Sequence, residues 1–306
     1  MHPQNLFYLC GFSGSSGALI VTGGAAVLII DGRYTIQAAQ EVQGAEVSVS
    51  RKGLWPGVGN WLRRWKVRRV GYEANRLTTS ALSQLRKLAA PGVRWAGLDG
   101  CVEAVRARKD AEEIRLLRQA AQLGGEVFKE IVPLIKPGVR EVELAAELEY
   151  RMRRRGASGP AFETIVAFGE RTALPHARAT ERALRTNELV LLDWGAILSH
   201  YCCDLTRTVY LGRAPSRIRQ WYHAVLEAQQ AAREAVRAGR SAGQVDRAAR
   251  RVLQRAGLVR FFVHSTGHGL GLEVHESPSL AKGRTQLLEA GNVVTIEPGV
   301  YIEGVG

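Results

Sequence analysis

No apolar run in this 306-residue sequence approaches the roughly 20 residues needed to cross a bilayer. The longest, Ala25 to Ile30, is strand-sized and ends at Asp31. The opening MHPQNLFYLCGF has neither the basic start nor the long apolar centre of a secretory leader, so the chain reads as cytoplasmic. Cysteine is scarce: Cys10, Cys101, Cys202 and Cys203 form neither a metal-type spacing nor a disulfide framework, which fits a reducing compartment. Lysine is scarce too, supplying only seven of the 42 basic residues. Arginine therefore carries the net charge of +13, with clusters at 61–69, 151–155 and 247–251. These clusters are scattered and no nucleic-acid motif accompanies them. The interleaved Trp61 and Trp65, spaced i, i+4, suit a helix face on a core as well as a base-stacking role. The charge reads as solvated surface, and nucleic acid is disfavoured as a partner.

With 46% hydrophobic and 23% charged residues, the composition is that of an ordinary globular protein, long enough for one large or two ordinary domains. ALIVTGGAAVLIIDGRY (18–34) reads as two strands joined at Gly23-Gly24. A short helix at TIQAAQEV, a strand at RRVGYE and a helix capped by Thr78 or Thr79 complete an α/β domain. GFSGSSG (11–17) lacks the Lys-Ser or Lys-Thr pair of a phosphate loop and reads as a turn-rich connection. The pattern changes near residues 100–108. A long helix with an acidic first turn is predicted over 109–135, and a second over 140–156. The domain boundary falls just before the long helix, giving 1–105 and 106–306. FETIVAFGE reads as a strand, followed by a loop carrying His176; two helices are predicted at 219–239 and 242–257.

The densest chemical signal is HSTGHGLGLEVHE, from His264 to Glu276. Three interior glycines, each costing about 1 kcal/mol in a helix, exclude a helical pair of histidines. In an extended chain His264 and His268 share a side. His275, at an odd offset, faces away unless a glycine bend or bulge returns it. The second signal is ELVLLDWGAILSHYCCDLTRTVYLG (188–212), two strands whose centre lies between Leu198 and Ser199. A two-residue turn there sets Asp193 opposite Asp204. Two carboxylates so placed repel, and a cation between them removes the cost. Glu297 ends a buried-looking strand, VVTI, and is the third candidate. Carboxylates mixed with imidazole suit manganese, cobalt, zinc or iron, and several carboxylates with one histidine suit two cations sharing ligands.

DWGA followed by DLTRT, the H-x-x-G-H-x-x-G-x-x-x-H-E run and IEPG occur in an order that resembles the pita-bread metallopeptidases. The branch is that of the Xaa-Pro aminopeptidases and proline dipeptidases. GFSGSSG and DGRYTIQA resemble the N-terminal domain of its shorter bacterial members. The resemblance implies an α/β (α+β) protein: a creatinase-like N-terminal domain, then a pita-bread catalytic domain. It implies hydrolysis of the bond between an N-terminal residue and proline by metal-bound hydroxide, acting on Xaa-Pro peptides or dipeptides, in a homodimer. Two divalent ions are implied for the intact protein, manganese first. Carried over by residue, Asp193 chelates one metal, Asp204 bridges both, and His268 and Glu297 hold the other. His264 and His275 contact substrate and stabilise the tetrahedral intermediate, with His176 assisting from the opposite wall.

The family's fifth ligand, a glutamate in a G-x-R-I-E-D segment after E-P-G-x-Y, lies beyond Gly306, where this sequence stops. Glu303 precedes that segment, where the family has no ligand. The start likewise lies close to the family's Y-x-x-G-F-x-G segment. The expectation is a sequence shortened at both ends, holding one metal tightly at best and with reduced activity. Three alternatives share the fold. A metal-free creatinase-like hydrolase is opposed by the intact Asp193, Asp204, His268 and Glu297. A methionine aminopeptidase usually lacks the N-terminal domain. A non-enzymatic nucleic-acid-binding member is favoured by charge and opposed by the retained site.

Overall fold

The computed structural model describes residues 1–306 and divides them into two units, Met1–Arg106 and Ala107–Gly306. The first contains, in order, α1 (Pro3–Cys10), β1 (Ala18–Val21), β2 (Ala26–Ile30), α2 (Thr35–Glu41), β3 (Glu46–Val49), α3 (Leu54–Arg64), β4 (Arg69–Glu73), α4 (Thr79–Leu88), β5 (Arg94–Leu98) and α5 (Cys101–Arg106). Strand β2 is central, antiparallel to β1 across the Gly23-Gly24 turn and parallel to β3. Its residues Val27 to Ile30 are all buried, and their period of two divides them between two helical layers. Leu28 and Ile30 pack with Leu6, Phe12 and Ala38; Val27 and Ile29 pack with Val58, Trp61 and Leu85. Trp61 is spent on that core, its indole donating to Ser48 Oγ at 2.8 Å, so the helix-face reading of the tryptophans holds. Thr78 caps α4 by accepting from the Ala81 N–H.

The second unit begins with α6 (Ala111–Ile131), closed at its start by a reciprocal Asp110–Glu113 capping box, and α7 (Glu141–Arg154). Then come β6 (Gly159–Pro160), β7 (Ile165–Phe168), β8 (Glu188–Trp194), β9 (Ala196–Leu198), β10 (Tyr201–Cys202) and β11 (Leu205–Leu211). The chain ends with α8 (Ser216–Ala235), α9 (Ala242–Arg255), β12 (Gly267–Gly269) and β13 (Glu276–Leu280). Each helix pair covers strands. Helices α6 and α7 bury Leu123, Val127, Leu144, Leu148 and Met152 against Val166, Phe168, Val190 and Trp194. Helices α8 and α9 bury Ala228, Val245, Ala249 and Leu253 against Phe262, Leu280 and Ile302. No helix is long and apolar enough to cross a membrane.

Two expected details differ. The hairpin turns at Ser199-His200, both in left-handed backbone (φ 48° and 72°), and not at Leu198-Ser199. Asp193 consequently pairs with Thr206, and Asp204 lies two residues before that partner. Moving the turn by one residue moves the register by two, which preserves the side each residue faces, so both acids still point the same way. The hairpin is also interrupted: Gly195 and Cys203-Asp204 fall between its strand pieces. At Gly195 a Cβ would lie 2.2 Å from the Cys203 carbonyl oxygen, and this approach keeps the break closed. The VVTI segment, in turn, is no regular strand. It runs extended beside β12, with the N–H groups of Thr295 and Glu297 donating to the carbonyls of His268 and Thr266.

Two glycine-to-alanine variants should therefore shift stability in opposite directions. Gly125 lies inside α6 with nothing within 4 Å of an added Cβ, so Gly125→Ala is expected to stabilise by about 0.5–1 kcal/mol. Gly195→Ala is expected to destabilise by roughly 1–3 kcal/mol through overpacking. Denaturant unfolding checks both; equal shifts of the same sign would contradict the close approach at Gly195.

Candidate metal centre

His268 stands at the middle of β12, and the glycines beside it let backbone close in. A Cβ at Gly267 would lie 2.0 Å from the Thr295 carbonyl oxygen, and one at Gly269 would lie 2.1 Å from that of Ser277. The pairing of β12 with β13 shifts register between His268 and Gly269. That irregularity and the bend after it return His275 to the same side. The two imidazole rings lie 4.3 Å apart, settling the odd offset in favour of a bend.

Around His268 the acids converge. Its Nε2 lies 3.0 Å from Glu297 Oε1 and 3.4 Å from Asp204 Oδ2. One ligand atom from each of Asp204, His268 and Glu297 falls within 4.8 Å of the others, a grouping able to hold a metal ion. His268 Nδ1 faces the Gly269 carbonyl at 3.0 Å, so in neutral imidazole the proton sits on Nδ1 and Nε2 keeps its lone pair for a ligand. Thr295, two residues before Glu297, donates to its carboxylate at 2.7 Å and accepts from the His268 N–H at 3.0 Å. Asp193 brings a third carboxyl from the end of β8. Thr206 opposite it supplies a hydrogen bond, while the buried Asp193 Oδ1 accepts none. An unpaired buried carboxylate oxygen is costly unless a cation or proton answers it. Hard oxygen donors with one imidazole suit manganese, iron, cobalt or zinc.

The electrostatics carry the same signature. Burial first, then the charges of Asp204 and Glu297, push the Asp193 carboxyl up to about 7. Burial opposes protonation of His268, yet its hydrogen bonds to Asp204 and Glu297 outweigh burial and raise it to about 10. Burial would raise Glu297, but the bonds from His268 and Thr295 hold it below the usual carboxylate range. Acids and imidazole are thus sharing protons where a cation would do better.

The remaining histidines border this cluster. His264 Nδ1 faces the Ser265 carbonyl at 2.8 Å, and its Nε2 meets the Tyr301 hydroxyl at 3.0 Å. Burial, followed by Asp193 and Glu297, raises the Tyr301 phenol to about 12. His275 is exposed overall, and its pKa is lowered by partial desolvation first and then by His268, with His176 among the further causes. His176, also exposed, therefore lies within electrostatic range of His275. Its loop is anchored by the fully buried Glu141, which accepts from the N–H groups of Phe168 and Thr180 and pairs with Arg171.

Tyr301, Thr295 and Thr206 escaped the reading of the sequence. Two of them carried a signal: Thr295 shares the face of Glu297 in any extended chain, and Thr206 follows from the corrected turn. Tyr301 depends on the path after Pro298-Gly299 and had none.

Comparison with known proteins shows the family. Residues 115–306 match the model of metallopeptidase family M24, and residues 1–108 match the creatinase/prolidase N-terminal domain. An Xaa-Pro dipeptidase of Pyrococcus furiosus is 33% identical over 304 residues, covering 99% of this chain and 86% of the relative. Among solved structures, the Xaa-Pro dipeptidase from Bacillus anthracis superimposes with a TM-score of 0.97 at 36% identity, covering 100% of this chain and 86% of that one. The X-Pro aminopeptidase from Thermotoga maritima gives 0.93 at 36% identity, covering 99% and 86%.

An arriving ion must displace the protons held here, which sets a pH dependence. Below about 7 both Asp193 and His268 hold one; between about 7 and 10 only His268 does. Affinity for manganese(II) is therefore expected to rise with pH. Binding should release about one proton at pH 8 and approach two at lower pH. Calorimetry in buffers of different ionisation enthalpy reads this; a heat that ignores the buffer would contradict the cluster.

Proposed function

This chain belongs to metallopeptidase family M24, and on that footing we propose that it hydrolyses the peptide bond between an N-terminal residue and proline, as an Xaa-Pro dipeptidase or aminopeptidase. The observation that carries the reading is the convergence of Asp193, Asp204, His268 and Glu297 beside three further histidines. Whole-length likeness to enzymes named for Xaa-Pro substrates supports the substrate class.

In the intact protein Asp193 and Asp204 would hold one divalent ion, with Asp204 shared and His268 and Glu297 holding a second, and the residues present here would hold one of them tightly; manganese is the first choice for such donors. When bound, such ions polarise a carbonyl and acidify water. The chain's own groups do the rest. The Gly269 carbonyl keeps His268 in the tautomer that offers Nε2. Thr295 orients Glu297 and spares its second oxygen. His275, beside the His268 ring, would donate to the negative charge that develops on the scissile carbonyl oxygen; His264, whose Nδ1–H is taken by the Ser265 carbonyl and whose Nε2 meets the Tyr301 hydroxyl, would join it as the imidazolium, donating from Nε2. His176 supports them from the loop that Glu141 anchors. The four cysteines carry no disulfide, in keeping with a cytoplasmic enzyme.

The test is hydrolysis of glycyl-proline with manganese(II). His268→Ala and Glu297→Gln should lose both metal and activity, by about 100-fold or more. His264→Ala should keep the metal and KM while kcat falls roughly 100-fold. A folded, metal-loaded wild type that leaves Xaa-Pro peptides intact would overturn the reading.

A further inference from the structure

Helix α9 buries one stripe, Ala242, Val245, Asp246, Ala249, Val252 and Leu253, and a single member of it is charged. Asp246 is 1% exposed. Its Oδ2 accepts from Arg250 Nε at 2.7 Å, one helical turn on, and its Oδ1 accepts from Thr266 Oγ1 at 2.9 Å. Arg250 then spends its other two nitrogens on backbone: Nη2 donates to the His264 carbonyl at 2.7 Å, and Nη1 to that of Phe262 at 3.2 Å. The guanidinium lies 4.3 Å over the Phe262 ring, which meets the His264 imidazole edge-on at 5.0 Å.

A buried ion pair is a poor stabiliser, since an apolar pair of equal volume often does as well or better. Here the polar atoms are committed to one five-residue segment, 262–266, which runs directly into β12. We propose that Asp246 and Arg250 are positioning residues for the active site, acting through two branches joined at their ion pair. The Arg250 branch fixes His264, by its carbonyl and through the Phe262 ring. The Asp246 branch fixes Thr266, whose carbonyl accepts the Glu297 N–H at 2.8 Å and so sets where that carboxylate stands. Arginine suits the first branch because its planar fork reaches three acceptors at once; lysine keeps the charge and loses the fork. This rests on the proposed peptidase function for its kinetic readout, and on geometry alone for its second readout.

The branches predict different defects. Arg250→Lys should lower kcat on glycyl-proline by about 10–100-fold while KM and manganese affinity stay close to wild type. Asp246→Asn should weaken manganese binding as well. In a His264→Ala background, Arg250→Lys should cost little more, because its effect passes through that ring. An additive loss in the double variant would overturn the Arg250 branch, and an Asp246→Asn enzyme with wild-type metal affinity would overturn the other. Thermal unfolding checks that each variant folds. For the readout that needs no turnover, the His264 imidazole resonance is assigned by its loss in His264→Ala. It should move in Arg250→Lys and stay in place in Arg255→Lys, a change on the exposed side of the same helix; an unmoved resonance in Arg250→Lys overturns the proposal. A wild type inactive on Xaa-Pro peptides, with the resonance shifted as expected, would instead remove the peptidase reading and leave the positioning role standing.

Discussion

Crowding several carboxylates around one imidazole is the constraint on which the catalytic unit depends. Asp193, Asp204 and Glu297 repel one another in a space that water screens poorly, and His268 alone cannot neutralise all three. A chain arranges this only if the elements that carry the acids are fixed by something stronger than the repulsion. The buried layers of α6 and α7 on β7 and β8, and of α8 and α9 on β13, supply it. The apolar core thus does more than stabilise the fold: it makes an unfavourable set of charges persist in a form that a divalent ion relieves.

Backbone geometry then sets the fine positions. Gly195 lets the hairpin break just where Asp204 must leave the ladder, and Gly267 and Gly269 admit neighbouring backbone on either side of His268. Thr206, Thr266 and Thr295 each hold an acid or the backbone beside one. In the N-terminal unit nothing comparable is strained. Strand β2 is buried on both faces between two pairs of helices, and the unit's buried polar side chains, Asn5 and Arg106, hydrogen-bond to each other, with Asn5 also donating to Glu73 and Glu103.

Much of this was legible in the residues themselves. Period-two and period-3.6 patterns located the long helices, the Gly23-Gly24 turn and the Thr78 cap, because those features depend on neighbours in sequence. The same-side placement of Asp193 and Asp204 survived an error in the turn, since a shift of two residues leaves the facing unchanged. The turn itself was missed because Ser199-His200 is an uncommon pair for left-handed backbone, and its conformation is imposed by the strands it joins. His264 to His275 showed its histidines but not its path. A bulge and a bend depend on the carbonyls of Thr295 and Ser277, which lie far along the chain from His268 or across the hairpin. Asp246 offered a signal that went unread, a lone acid in an apolar helical stripe; Tyr301 offered none.

The claim that most needs testing is that this crowded cluster works as a metal centre in peptide cleavage. The direct measurement is the rate of glycyl-proline hydrolysis by protein stripped with a chelator, followed as manganese(II) is returned. Hydrolysis should vanish on stripping and recover in proportion to ion bound. Undiminished hydrolysis by fully stripped protein would contradict it.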